Sequence, residues 1–393
     1  MRLRRLATPL ILSAAALSAP AKPPHVVLIA VDDWGFNDWA VHAASQNNSA
    51  EILTPRIDAL AAVGRVLDRH YVFRFCSPSR SALHTGRNPI HVNVLNSPLA
   101  SVNLADPVSG FAGIPRNMTA LPALLKTAGY HTVHSGKWHL GLATPDHVPR
   151  GRGYDETLGY LDGANDYWTS ATGDWCGDKA YTDLWATTTP AYGQNNSLDC
   201  SQAHQPPSCR YEDDIFVNFT VSAIAAHDPS VPLFLYFAPH NVHLPLEVPA
   251  AQLAKFAFVE PGVTDSPRRR YAAMTNLVDA HVGAVVDALV ARGLWDDCLL
   301  VLTADNGGPI FGQSSGCTEC DGSAGANNFP LRGGKHSNWC VGLTRARPRC
   351  APFAHARPPL SPFLPAGRVA SAQTRSSVAA SSRSRSAAYP RSG

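Results

Sequence analysis

His25-Val26-Val27-Leu28-Ile29-Ala30-Val31-Asp32-Asp33-Trp34-Gly35 has no polar face between His25 and Val31. An alternating run would mark a strand with one wet side. A continuous apolar run rich in β-branched residues predicts a strand buried on both faces, as inside a parallel sheet. It ends on two acids, and paired carboxylates at the carboxyl end of a buried strand suggest a site. The design recurs twice: Leu233-Phe234-Leu235-Tyr236-Phe237 runs toward His240-Asn241-Val242-His243, and Leu299 to Leu302 runs into Asp305-Asn306-Gly307-Gly308. Helical patterns lie between these strands. They are Ile57 to Val66, Ala120 to Thr127 closed by Gly129, and Arg270 to Ala291, which carries Met274, Leu277, Val278, Val282, Val285, Val286 and Leu289 on one face and stops at Gly293. Strands alternating with amphipathic helices predict an α/β sandwich around a mainly parallel central sheet, with ligands bound beyond the carboxyl ends of the strands. Asp162 to Ser208 is rich in Gly, Asn, Asp, Thr and aromatic residues and is expected to form long loops over the site, with room for a short hairpin.

The chain has a formal charge of +3, but Arg2, Arg4, Arg5 and nine arginines after Cys340 more than account for it. The body from 22 to 339 is therefore acidic, which argues against a nucleic-acid partner. Residues 1–21 combine a basic start, an apolar stretch from Leu6 to Leu17 and the small-residue pattern Ala19-Pro20-Ala21. They are expected to be a signal peptide, the apolar stretch being shorter than the ~20 residues a spanning helix needs. No later segment is expected to span a membrane. Sequons at Asn47, Asn117, Asn195 and Asn218 fit a glycosylating secretory pathway, ending outside the cell or in a lysosome-like compartment. Disulfides are expected among Cys176, Cys200 and Cys209 and between Cys317 and Cys320, whereas Cys298 is open to either a buried thiol or a bridge.

The sharpest motif is Cys76-Ser77-Pro78-Ser79-Arg80-Ser81-Ala82-Leu83-His84-Thr85-Gly86. It resembles the signature of the type I sulfatases, Cys-x-Pro-Ser-Arg followed by Leu-x-Thr-Gly, in which the cysteine is oxidised to formylglycine by a formylglycine-generating enzyme. Ser135-Gly136-Lys137-Trp138-His139-Leu140-Gly141 resembles the second signature of that family. Asn241-Val242-His243-Leu244-Pro245 and Pro330-Leu331-Arg332-Gly333-Gly334-Lys335 resemble two further sulfate-binding stretches. The likeness runs from about Pro24 to Trp339 and is nearest to the arylsulfatase B-like group. It implies an alkaline-phosphatase-like α/β/α sandwich and hydrolysis of aryl or carbohydrate sulfate esters. A formylglycine hydrate carries two hydroxyls on one carbon: one attacks sulfur, and the other expels sulfate by collapse to the aldehyde, an exit that serine lacks.

The resemblance assigns Cys76 as nucleophile and gives Arg80, Lys137, His139, His243 and Lys335 to sulfate binding and proton transfer. Lys137 and His139, two apart in an extended segment, are expected to face one pocket. The resemblance also places one calcium ion on Asp32, Asp33, Asp305 and Asn306, beside Cys76. All-oxygen ligands select a hard cation over zinc in any case. A phosphoester or phosphonate hydrolase of the same superfamily is the rival enzyme reading, and an inactive truncated secreted protein the rival outside enzymes.

The pattern breaks after Trp339. The family continues Trp-Glu-Gly-Gly into a further strand and a small C-terminal subdomain, whereas here Cys340-Val341-Gly342-Leu343 leads into an Arg/Ala/Ser/Pro-rich stretch without Asp, Glu or Lys. The expected organisation is a signal peptide at 1–21, a catalytic domain at 22–339 and a disordered tail at 340–393 in place of the subdomain. A shifted reading frame or exon boundary would make such a change, and a basic tail that binds acidic glycans is the alternative.

Overall fold

The computed structural model describes residues 22–45, 51–67, 70–94, 113–172, 181–187, 189–190, 200–310 and 324–336. The expected signal peptide, the tail, Asn47, Asn195, Cys176, Cys317 and Cys320 lie outside them. The elements run β1 (His25–Val31), α1 (Ala40–Ser45), α2 (Pro55–Val63), α3 (Cys76–Thr85), α4 (Leu121–Thr127), β2 (His131–Lys137) and β3 (Glu156–Tyr160). Four two-residue strands follow: β4 (Ala171–Thr172), β5 (Tyr181–Thr182), β6 (Trp185–Ala186) and β7 (Thr189–Pro190). The chain then forms α5 (Glu212–Ala226), β8 (Leu233–Ala238), α6 (Ala250–Lys255), α7 (Pro267–Arg292) and β9 (Cys298–Ala304).

The main sheet has the order β7-β6-β3-β2-β8-β1-β9. Its body is parallel, and only the pairings of β6 with β3 and with β7 at one edge are antiparallel. The apolar run of β1 divides as its period demands. Val27, Ile29 and Val31 join one core with residues of α2, α5 and α7, while Leu28 and Ala30 join a second core with Trp138, Tyr154 and Tyr236, against which Leu83 of α3 and Leu121 and Leu125 of α4 pack. Helices thus cover both faces of the central strands, which is why β1 and β8 need no polar side, whereas β9, expected to repeat that buried design, lies at the sheet edge and leaves Leu299 and Val301 exposed. The register pairs Val31 with Ala304 and Ser135 with Phe237, so Asp32, Asp305, Lys137 and the His240–His243 segment emerge at one edge of the sheet.

The predicted helices appear at 55–63, 121–127 and 267–292, their ends within three residues of those expected. Helix α7 starts on Ser266, whose side chain accepts from the Arg269 N–H, and stops at Gly293 in the left-handed region with φ 74°. Contrary to the expectation for later segments, α7 is long and apolar enough by length and composition to cross a membrane. Its apolar stripe, with Met274, Val278, Val282 and Val285 fully or almost fully buried, instead forms part of the core against α5 and α2. The expected hairpin over the site is present in miniature as β4–β5, with β6–β7 as a second antiparallel pair. Cys200 bridges Cys209, and Cys298 is a free, partly buried thiol.

Candidate active site

Cys76 occupies the first position of α3, after Phe75 in extended conformation. The backbone N–H groups of a helix start have no partners inside the helix, so this end favours negative charge. The Cys76 thiol is fully buried and lies 3.5 Å from Asp32 Oδ1. Burial, and then the Asp32 carboxylate, push its pKa far above the ordinary thiol range. An unmodified thiol here stays protonated and is a poor nucleophile.

One turn along α3, Arg80 reaches back into the site. Its Nε donates to Asp305 Oδ2 at 2.9 Å, its Nη2 lies 3.6 Å from Asp32 Oδ1, and its Nη1 donates to the Lys137 carbonyl and the Tyr236 hydroxyl at 3.3 Å each. Lys137, at the end of β2, places Nζ 2.6 Å from Asp32 Oδ2 with both side chains fully buried. Lys335 places Nζ 2.8 Å from Asp33, and the Asp33 carboxylate holds its pKa far above the usual lysine value against the opposing effect of burial. Asp33 sits in the left-handed region at φ 56°, with its N–H donating to Asp305 Oδ1 at 3.2 Å. Asn306 Nδ2 donates to Asp33 Oδ1 at 2.7 Å, leaving Asn306 Oδ1 buried without a partner among the described residues. Three buried carboxylates and three permanent cations therefore interlock and cancel in formal charge. One ligand atom each from Asp32, Asp33, Cys76 and His243 lies within 4.8 Å of the others, close enough to share an ion.

His243 faces this cluster with Nε2 3.7 Å from Asp33 Oδ2, while its Nδ1 lies 2.5 Å from the Leu244 carbonyl. That contact fixes the proton of the neutral ring on Nδ1. Burial, then Lys335 and Lys137, lower its pKa well below the usual histidine value. His139 is placed otherwise than the two-residue alternation predicts. It lies beyond the end of β2 with φ 56°, so a backbone turn sets its direction, while Trp138 points into the second core. Its ring is buried and packs beside Gly163, and its Nδ1 has no partner among the described residues. Burial, then the charges of Lys137, Arg80 and Lys335, lower its pKa, so it stands in the field of the same cations.

No motif in the chain signals the support behind His243. His240 lies beside His243, with ring centroids 5.8 Å apart. It stacks on Tyr167 at 3.9 Å, and its Nδ1 lies 3.0 Å from Glu212 Oε2. Asp213 accepts from the N–H groups of His240 and Asn241 at 2.8 Å each, and the Tyr167 hydroxyl lies 2.9 Å from the carbonyls of both His240 and His243. Glu212-Asp213-Asp214 is readable as an acidic helix start suited to the α5 dipole. Nothing in the triplet shows that two of its members hold a loop 27 to 28 residues away.

The model of the sulfatase family matches residues 24–346. Arylsulfatase J of Mus musculus is 32% identical over 338 residues, covering 86% of this chain and 49% of that protein. N-acetylgalactosamine-6-sulfatase of Homo sapiens is 27% identical over 331 residues, covering 83% of this chain and 56% of its own length. The chain thus spans about half the length of the curated relatives it matches. Among solved structures, Ps i-CgsB in complex with k-i-k-neocarrahexaose superposes with a TM-score of 0.61 at 30% identity, over 81% of this chain and 63% of that one. The parallel sheet with helices on both faces is accordingly the alkaline-phosphatase-like α/β fold. With the family model matched across most of its length and the fold shared, the chain belongs to the sulfatase family.

Proposed function

We propose that the protein is a sulfuric ester hydrolase acting on aryl or carbohydrate sulfates, with Cys76, matured to formylglycine by a formylglycine-generating enzyme, as its nucleophilic position. The observation that carries this reading is the convergence of Arg80, Lys137 and Lys335 on buried carboxylates around the first residue of α3. The Cys76 thiol is held protonated, and its neighbour Asp32 is engaged by Lys137 and Arg80.

The three carboxylates already balance the three cations, so an entering sulfate ester requires a further positive charge. The donor set fits a hard cation: Asp32, Asp33 and Asp305 offer carboxylate oxygens, and the orphaned Asn306 Oδ1 offers a neutral one. These residues would hold calcium, which when bound lowers the pKa of a neighbouring hydroxyl and neutralises sulfate oxygens. Lys137, Lys335 and Arg80 then orient the ester and stabilise charge spreading over its oxygens. His243 must gain a proton on Nε2 before it can donate one to the leaving oxygen, and an anion beside it favours the charged ring. His139 is assigned to the hydroxyl side of the same pocket.

Passage through the secretory pathway is supported by the Cys200–Cys209 bridge and by the exposed sequon residues Asn117 and Asn218. Peptide mass spectrometry across Cys76, on protein from a formylglycine-competent eukaryotic host, is expected to show a loss of about 18 Da, the change of thiol to aldehyde at an activated nucleophile. The same protein is expected to turn over 4-nitrophenyl sulfate faster than 4-nitrophenyl phosphate. An unmodified cysteine in soluble protein would favour the inactive reading, and the reverse preference the phosphoester reading.

A further inference from the structure

Two residues beyond the end of β3, Asp162 stands at the same sheet edge as the catalytic cluster. Strand β3 pairs in parallel with β2, with Lys137 opposite Tyr160, and beyond the strands the His139 N–H donates to the Leu161 carbonyl at 3.2 Å. Asp162 is therefore carried on the backbone that flanks His139. Its neighbour Gly163 touches the His139 ring so closely that a Cβ there would lie 2.9 Å from His139 Cε1.

The carboxylate is only half used. Oδ1 accepts from the Gly163 N–H at 2.7 Å, while Oδ2 is buried and has no hydrogen-bond partner among the described residues. The residue is only 6% exposed. Its backbone is fixed, because Asp183 accepts from the N–H groups of Leu161 and Asp162 and from the Trp185 indole. Lys137 is the cation whose charge acts on it. A buried carboxylate oxygen left without a donor is costly, and folded proteins rarely leave one so. Among the described residues no donor is left to supply it, which leaves this oxygen open to a donor on a bound ligand. A carboxylate only accepts, so it repels a second sulfate and welcomes a hydroxyl.

We propose that Asp162 is a specificity-determining residue whose Oδ2 accepts a hydrogen bond from a free hydroxyl beside the sulfate ester on a carbohydrate substrate. The inference rests on the sulfatase reading above and narrows it from aryl or carbohydrate sulfates to hydroxyl-bearing sugar monosulfates.

The test compares wild type with Asp162→Asn and Asp162→Ser on 4-nitrophenyl sulfate, which has no hydroxyl, and on a panel of hexopyranose monosulfates with the sulfate at different positions. Binding of the panel is measured by calorimetry in a Cys76→Ala background, where turnover cannot intervene. For the preferred sugar, both variants are expected to lose roughly tenfold or more in kcat/KM and in affinity, the scale of one lost polar contact in a built site. Their turnover of 4-nitrophenyl sulfate stays within about threefold of wild type. The deoxy analogue of that sugar, lacking the contacted hydroxyl, binds wild type and variants alike.

Equal losses on aryl and sugar sulfates would make Asp162 merely structural and overturn the proposal. So would wild type binding no hexopyranose monosulfate, or variants that keep full affinity. A wild type that fails on 4-nitrophenyl sulfate but binds and cleaves the sugars leaves the inference standing and removes only the aryl arm. Failure on both removes the sulfatase reading itself, and the inference with it.

Discussion

The Arg80 guanidinium lies between two carboxylates, Asp305 and Asp32, and none of it reaches solvent. Removing one partner of a buried charge network leaves the others uncompensated, typically at a cost of about 3–5 kcal/mol. Arg80→Gln is therefore expected to lower the unfolding free energy by an amount in that range, read as a fall in the urea midpoint. Arg80→Lys recovers little, because a single ammonium cannot reach Asp305, Asp32 and the Lys137 carbonyl together as the planar fork does. If Asp32 and Asp305 ligate calcium, millimolar calcium restores part of the lost stability of Arg80→Gln and chelation removes it again, since a ligand that binds only the folded state shifts the midpoint. An Arg80→Gln midpoint insensitive to calcium would count against the proposed ligand set. The motif Cys76-Ser77-Pro78-Ser79-Arg80 was legible because its residues lie within one helical turn. The partners that give Arg80 its energy, Asp32 and Asp305, lie far off in the chain.

Strand β2 delivers Lys137 only because it lies close against β8 at Gly136. There φ is 97°, and a Cβ would stand 2.0 Å from the Ala238 carbonyl oxygen. Gly136→Ala must therefore part the two strands or twist β2, and overpacking of this kind costs about 1–3 kcal/mol. Its effect on turnover is expected to exceed its effect on stability, because the displaced segment carries Lys137 and His139 on one side and abuts the His240–His243 segment on the other. A thermal melt paired with 4-nitrophenyl sulfate kinetics separates the two effects. The bridge Cys200–Cys209 closes a short loop, with a sequence separation of nine. Cys200→Ser with Cys209→Ser is expected to lower stability by about 2–3 kcal/mol on the loop-entropy estimate, read as a fall in the denaturation midpoint that reducing agent reproduces in wild type.

Across the molecule, opposing sets of buried groups govern the response to acid. Burial, only partly opposed by the Lys137 carbonyl, lowers the pKa of His134 to about 3, and burial lowers that of His84 to about 4. For each, the unfolded chain takes up a proton first as pH falls below 6.5, so stability is full above that value and is lost below it. Burial raises Asp183 and Asp213 to about 6 and Glu247 to about 7, so these carboxyls hold protons in the fold before the unfolded chain does. They add stability as pH falls from about 7 toward 4. His139 and His243, whose pKa burial also lowers, stand on the losing side, so the two sets oppose each other between pH 7 and 5. His134→Phe removes one losing term, and its stability relative to wild type is expected to rise by about 1.4 kcal/mol per pH unit below 6.5. Urea midpoints at pH 7.5, 6 and 5 check this, and a difference independent of pH would show that His134 does not titrate between the two states.

What the sequence determined by itself was whatever short-range pattern encodes. The apolar run before Asp32-Asp33 required a doubly covered strand, and the periodic face of residues 270–291 with its terminal Gly293 required a buried helix. Each follows from local sterics and from the hydrophobic cost of leaving that pattern wet. Tertiary structure alone decided which charges meet. Lys137 joins Asp32 across 105 residues and Lys335 joins Asp33 across 302. Glu212 takes up His240, His139 turns out of the strand alternation, and Asp162 is left with one carboxylate oxygen unmet. Ion pairs and hydrogen bonds act over a few ångströms in space, and only the packed sheet, by bringing distant strand ends to one edge, sets those distances.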